Sequence, residues 1–236
     1  MRTLLLRIGL ALCATLWLGA GSAFATPFGP TPYLQASDSP FAAVNFAGGY
    51  FYLENFEDHL LNTPGLSGGP GGVTSVIFGS SLHDSVDADD GAIDGSGLAG
   101  DDWWDGGPTV SFSFNGGILG SLPTYAGLVW TDGPAGTPVT FVAFAPDGVT
   151  PVCSFGGSGF ADSNFSGGTA EDRFFGCSDP GGISRITVTN TFGGGIEIDH
   201  VQYGNPRSQV VTPEPATLTL VGLGGLLLRA RRRQQL

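Results

Sequence analysis

Apolar residues in this chain alternate with polar ones, and glycine or proline cuts each run short before a helix could establish its period. Val110, Phe112 and Phe114 alternate with Thr109, Ser111 and Ser113, which is the pattern of a half-buried strand. Forty glycines and sixteen prolines punctuate the chain, and between residues 26 and 212 no ten-residue stretch shows a 3.6-residue period. Further strands are expected at 41–46, 50–56, 73–78, 125–131, 139–145, 152–155, 183–191 and 196–203. Turn sequences such as Asp132-Gly133-Pro134, Pro146-Asp147-Gly148 and Asp179-Pro180-Gly181-Gly182 separate them. The glycine-rich segment 65–72 reads as a long surface loop between strands. Eight or nine short strands joined in this way predict an all-β fold, an antiparallel β-sandwich of jelly-roll type, in one domain over residues 26–209. No internal repeat recurs at a fixed period, which disfavours a solenoid or propeller.

Both ends of the chain differ from this pattern. Residues 1–25 carry Arg2 and Arg7, an apolar run over 8–18, and Ala23-Phe24-Ala25, the three zones of a secretory signal peptide cleaved after Ala25. The run is shorter than the ~20 residues a spanning helix needs, which argues against an uncleaved anchor. Cys13 lies inside it and is expected to leave with the signal. At the other end, Val211-Thr212-Pro213-Glu214-Pro215 precedes the uncharged stretch 216–228 and then Arg229, Arg231, Arg232 and Arg233. As a transmembrane helix that stretch would rise only about 20 Å, a marginal span that needs arginine snorkelling. The arginines should remain cytoplasmic and leave the domain outside. Motif, apolar stretch and basic cluster in this order resemble the PEP-CTERM sorting signal, here residues 210–236. The resemblance implies that a membrane-embedded exosortase cuts near Pro213-Glu214-Pro215, after export through the Sec machinery. It also implies transfer to the cell surface or extracellular matrix, and a link to exopolysaccharide and biofilm. The alternative is an ordinary tail anchor in the inner membrane.

Six of the nine basic residues sit in these ends. Between them remain Arg173, Arg185 and Arg207 against twenty carboxylates, a formal charge of −17 without a lysine. Such a surface argues against nucleic acid and anionic lipid as partners and favours divalent cations or neutral ligands. The two remaining cysteines, Cys153 and Cys177, are predicted to form a disulfide in an oxidising exported compartment.

The densest chemical signal runs from His83-Asp84-Ser85-Val86-Asp87-Ala88-Asp89-Asp90 through Asp94 to Asp101-Asp102-Trp103-Trp104-Asp105. Carboxylates crowded on a glycine-permissive loop supply the hard, flexible oxygen shell that Ca²⁺ prefers. The EF-hand pattern is not met, since no Glu sits at the twelfth place and Asp90-Gly91 is out of register. The expected ligands are Asp87, Asp89 and Asp94, and the competing reading is a solvated acidic loop. The segment Ile196-Glu197-Ile198-Asp199-His200-Val201 resembles the closing strand of jelly-roll carbohydrate-binding modules, in which an Asp helps to hold a structural calcium. That resemblance implies Asp199 as a further ligand, with Glu57 as its partner.

His59, His83 and His200 each adjoin an aspartate, which leaves a transition-metal site conceivable, although no paired histidine spacing supports one. His200 shares strand parity with Ile196 and Ile198 and reads as a satisfied sheet residue. No G-x-S-x-G elbow is present. Trp103 and Trp104 beside aspartates either stack on sugar rings or plug the end of the sandwich. Two functional readings result: a non-enzymatic, calcium-stabilised surface or matrix protein associated with exopolysaccharide, or a secreted glycan-active enzyme on the same fold.

Overall fold

The computed structural model describes residues 24–79, 84–134, 136, 138–161, 166–191 and 194–206. Residues 1–23 of the expected signal peptide, His83 and the sorting segment with the helix expected over 216–228 lie outside these residues. All described residues belong to the first of two compact units, Met1–Pro206; the second is Arg207–Leu236. Among the described residues no helix is long and apolar enough to cross a membrane.

Among the described residues twelve strands occur in chain order: β1 (Thr26–Pro32), β2 (Tyr50–Glu54), β3 (Leu66–Gly69), β4 (Gly72–Val73), β5 (Trp103–Asp105), β6 (Thr109–Phe114), β7 (Tyr125–Asp132), β8 (Val139–Phe144), β9 (Pro151–Gly157), β10 (Arg173–Ser178), β11 (Arg185–Asn190) and β12 (Ile196–Asn205). They form a seven-stranded sheet, β1-β10-β7-β12-β5-β4 with β2 also on β12, and a five-stranded sheet, β3-β6-β11-β8-β9. All pairings are antiparallel. The pairs β8–β9, β7–β10, β6–β11 and β2–β12 are nested, one inside the next along the chain. That is one long hairpin folded across two sheets, the jelly-roll order expected from the strand pattern.

The two sheets differ in what covers them. Strands β6, β8 and β11 alternate buried and half-buried residues, so one face of the five-stranded sheet meets the core while the other meets solvent. Val110, Phe112, Phe141 and Ile186 from that sheet pack against Leu128, Trp130, Phe175 and Ile198 from the other. Strands β7, β10 and β12 are instead buried along nearly their whole length. Their second face is covered by a smaller cluster in which Tyr33, Phe41 and Val86 pack on Val129 and Phe174. The molecule is therefore locally three-layered, and polar residues on the outer face of β12 are buried as deeply as core residues.

Cys153 on β9 and Cys177 on β10 are disulfide-bonded with Cα atoms 6.3 Å apart, as expected. Because β9 and β10 belong to different sheets, the bond staples the sandwich across its core. In the chain-entropy model a loop of this length stabilises the fold by about 3 kcal/mol.

Two expected strands are helical. Residues 41–46 were to form a strand; instead Pro40–Ala43 is a 3-10 helix whose N-cap, Ser39, accepts the Phe41 amide at 3.1 Å. Serine at the cap and proline at the first position are local start signals that outweigh the apolar run. Of 73–78 only Val73 pairs, as the end of β4, and Thr74–Phe78 forms a short helix, α1. The Thr74 amide donates to the Asp102 carbonyl at 2.9 Å and the Ser75 amide to Asp101 Oδ1 at 3.0 Å, so the first helical amides are satisfied away from any ladder. Segment 65–72 is also not a loop, because β3 pairs with β6 from Leu66↔Phe114 to Gly69↔Ser111. Gly68 permits this approach; a Cβ there would lie 2.9 Å from the Phe112 ring.

Candidate metal centre

Val86 explains why the acidic segment folds inward. It is completely buried against the Tyr33–Phe174 cluster and draws the charged residues around it down onto the outer face of the seven-stranded sheet. The chain then doubles back on itself. Gly97 allows this, since a Cβ at that position would lie 2.1 Å from the Ser85 carbonyl oxygen. Asp87, at the start of the 3-10 helix Asp87–Asp90, holds the returning loop. Its Oδ1 accepts the amides of Asp94 and Gly95, both at 3.0 Å, and its Oδ2 accepts the Thr169 hydroxyl at 3.1 Å. Asp84, Asp87, Asp101 and Asp102 are consequently all buried.

β12 supplies the opposing wall. Ile196 and Ile198 face the core, but so do Val201 and Tyr203, and inward parity therefore switches in between. The switch is a β-bulge: the register with β7 shifts between Asp199 and Gln202, and His200 has φ 45°. This corrects the expectation that His200 shares the parity of Ile196 and Ile198. It faces the outer layer instead, where its Nδ1 lies 2.8 Å from the Tyr33 hydroxyl and its Nε2 2.9 Å from Asp89 Oδ1. Gln202 donates to the same Tyr33 hydroxyl at 2.9 Å. With Tyr33 donating to Nδ1 and Nε2–H donating to Asp89 Oδ1, both imidazole nitrogens have complementary partners, while Asp89 Oδ2 is left without one among the described residues. Asp199 Oδ2 accepts the Val86 amide at 3.0 Å and its Oδ1 the His200 amide at 2.6 Å. Burial, then the Asp89 charge, pushes the Asp199 carboxyl well above its usual range.

Among the described residues, two groups of side chains place one donor atom each within 4.8 Å of one another: Asp89 with Asp199 and His200, and Asp84 with Asp132 and Glu197. Burial, then Asp172, Asp132, Glu171 and Asp102, drives the Asp84 carboxyl up to about 10. Burial, followed by Asp102, Asp84 and Asp132, does the same to Glu197, also about 10. Asp102 and Asp172 are raised well above the carboxylate range, again chiefly by burial. These acids share one electrostatic environment. Arg173 donates to the Ala170 and Asp172 carbonyls, Arg185 donates to the Gly148 carbonyl, and each guanidinium lies over a phenylalanine ring.

Of the five ligands expected from sequence, the fold brings Asp89 and Asp199 together. Asp87 spends its oxygens on the loop, Asp94 is exposed, and Glu57 accepts the Asp101 amide at 2.7 Å in a neighbouring group. Burial raises Glu57 to about 7. In that group Asp101 Oδ2 lies 2.7 Å from His59 Nδ1 and also accepts the Ser75 hydroxyl, which sits 3.1 Å from the same Nδ1. A hydrolytic relay needs serine and aspartate on opposite imidazole nitrogens, so Ser75, His59 and Asp101 do not form one. Asp84, Asp132 and Glu197 form no local ligand pattern in the sequence: they lie in a loop, at the end of β7 and near the start of β12, and the sheet register pairs Asp132 with Glu197 while the inward fold of the acidic segment adds Asp84.

Trp103 is not available as a sugar platform. It is 6% exposed, donates Nε1–H to the Pro70 carbonyl at 3.1 Å and packs against Phe56 and Phe112. Trp104 is half-buried, edge-on to Phe78 with ring centroids 4.7 Å apart.

No curated protein matches the chain in sequence. Among solved structures it is similar to the enzymatically active domain of tailspike protein 4 from bacteriophage CBA120, at 12% identity and a TM-score of 0.26. That likeness covers 74% of this chain and 22% of the tailspike chain, so the chain spans about a fifth of the tailspike's length. The family match lies elsewhere, over residues 211–234, and contains the Pro213-Glu214-Pro215 tripeptide, the uncharged stretch and the arginines. This chain carries a PEP-CTERM protein-sorting motif and is an exported, exosortase-processed protein sorted to the cell surface.

Proposed function

We propose that the jelly roll is a non-enzymatic, calcium-stabilised surface or matrix module that associates with exopolysaccharide in a biofilm. The observation that carries the calcium reading is the inward fold of the acidic segment, which buries Asp84 and Asp102, with Asp199 of β12 buried as well. A merely solvated acidic loop would keep its carboxylates in water. Buried together, they repel unless protonated or bridged by a cation, and hard oxygen donors suit Ca²⁺ at the millimolar to sub-millimolar affinity of extracellular modules. Asp89 and Asp199 are the side chains of this segment and of β12 that support the reading most directly.

Melting the exported protein in calcium and then in excess chelator tests this. At a free concentration ~100 times the dissociation constant, binding adds about 2.7 kcal/mol. That is roughly 5–11 °C for a domain of this size. Coincident midpoints, with magnesium and sodium equally inert at matched ionic strength, would return the loop to a purely structural role.

The exopolysaccharide association rests on surface sorting and on an acidic composition that leaves neutral glycans as the fitting class of ligand. A glycan array probed in calcium is expected to show binding without turnover. Release of reducing sugar from any bound glycan would favour the glycan-active enzyme instead.

A further inference from the structure

We infer that Asp84, Asp132 and Glu197 form a calcium site of their own, separate from the Asp89–Asp199–His200 group, that clamps the acidic segment to the ends of β7 and β12. One carboxylate oxygen from each residue lies within 4.8 Å of the other two. Asp84 is 0% exposed, and neither of its oxygens has a hydrogen-bond partner in the described structure. Glu197 Oε2 and both oxygens of the fully buried Asp102 are in the same condition. Buried polar atoms are nearly always paired, and a carboxyl left with neither donor nor cation costs free energy whichever protonation state it takes. A divalent ion held by Asp84, Asp132 and Glu197 would satisfy the Asp84 and Glu197 oxygens at once. In the His200 group Tyr33, Gln202 and the Val86 amide already satisfy most polar atoms, and Asp89 Oδ2 is the oxygen left open there among the described residues.

The donor set selects the ion. It is all oxygen, with no nitrogen or sulfur, which suits Ca²⁺ rather than zinc or copper. Asp132 is half-buried and gives the ion an approach from solvent. The three ligands come from positions far apart in sequence, so a bound ion would cross-link the segment before the 3-10 helix to two central strands of the sheet. Sites of extracellular type fill at 10⁻⁴–10⁻³ M calcium on the order-of-magnitude scale, so the clamp would close after export.

This inference rests on the calcium reading above and is tested apart from it. Calcium is titrated calorimetrically into chelator-stripped exported protein, wild type beside Asp84→Asn and Glu197→Gln. Each variant is expected to lose at least about tenfold in affinity at one site, or that site's whole stoichiometric equivalent. In chelator each variant should melt no lower than wild type, because a buried acid has been removed from an acidic group. In calcium it should melt lower, a crossing that simple misfolding would not produce. Tb³⁺ provides a second readout: Trp104 lies opposite Glu197 in the ladder, and indole-sensitised luminescence should fall in both variants. Wild-type stoichiometry, affinity and luminescence in both variants would overturn this site and leave calcium binding standing. No uptake by the wild-type protein would overturn both.

Discussion

With Pro213-Glu214-Pro215 replaced by three alanines, the protein is expected to be exported but to stay uncut in the inner membrane. The substitution leaves Arg2, Arg7 and the apolar run of the signal untouched, so entry into the export pathway is unchanged. It also leaves the uncharged 216–228 stretch and the four arginines beyond it, which are expected to supply retention and orientation. What is lost is the tripeptide within the matched motif, the segment an exosortase would recognise. Two prolines restrict the backbone around Glu214 to extended conformations, whereas alanine permits helix to run through the site. Fractionation followed by immunoblotting should therefore show nearly all of the protein in the membrane, heavier by everything C-terminal to the cut. If the triple variant reaches the surface or the medium at the wild-type mass, sorting does not depend on the motif.

Phe175→Ala is expected to be the most damaging single truncation in the jelly roll. Phe175 on β10 is completely buried, stacks on Phe141 with centroids 6.4 Å apart, and touches Phe155 and Phe160 at 6.0 and 6.3 Å. It is the ring through which the seven-stranded sheet meets β8 and β9, two residues from the disulfide at Cys177. Emptying it removes transfer free energy and leaves a cavity that the stapled strands cannot collapse, about 3–5 kcal/mol. The urea midpoint should fall sharply with the slope unchanged. Val149→Ala at an exposed turn should stay within about 0.5 kcal/mol of wild type. A Phe175→Ala loss below about 1 kcal/mol would mean that the two sheets do not pack as described.

Where one sheet face meets solvent, alternation was visible in the chain itself. Val110-Ser111-Phe112 and the 139–145 run read correctly as β6 and β8 because their outward residues remain polar. β10 was not anticipated for the converse reason. Phe174 faces the outer cluster while Phe175 faces the core, so the run Phe174-Phe175-Gly176-Cys177 shows no alternation. At 41–46 and 73–78 the apolar content suggested strands, and Ser39, Pro40 and the Asp101 carboxylate diverted the backbone into helical turns. In the candidate centre, the crowding of acids over 84–105 was legible in the chain. The choice among them was not: Asp94 sits in solvent and Asp87 serves the loop's own amides, while Asp132 and Glu197 join Asp84 from distant strands.

The sequence by itself determined the class of fold, the disulfide partners and the sorting route. Period-two patterning, cysteine parity and the ordered C-terminal motif are each encoded within a short stretch or a simple count. Tertiary structure alone decided that an acidic loop would become a buried wall and that His200 would turn away from the core. Val86 pulls the segment onto a second hydrophobic cluster, and a one-residue bulge in β12 reverses which side chains face it. Both effects depend on which strand lies beside which, and that is set by the nested pairing of the jelly roll, where a shift of a single residue exchanges inside for outside.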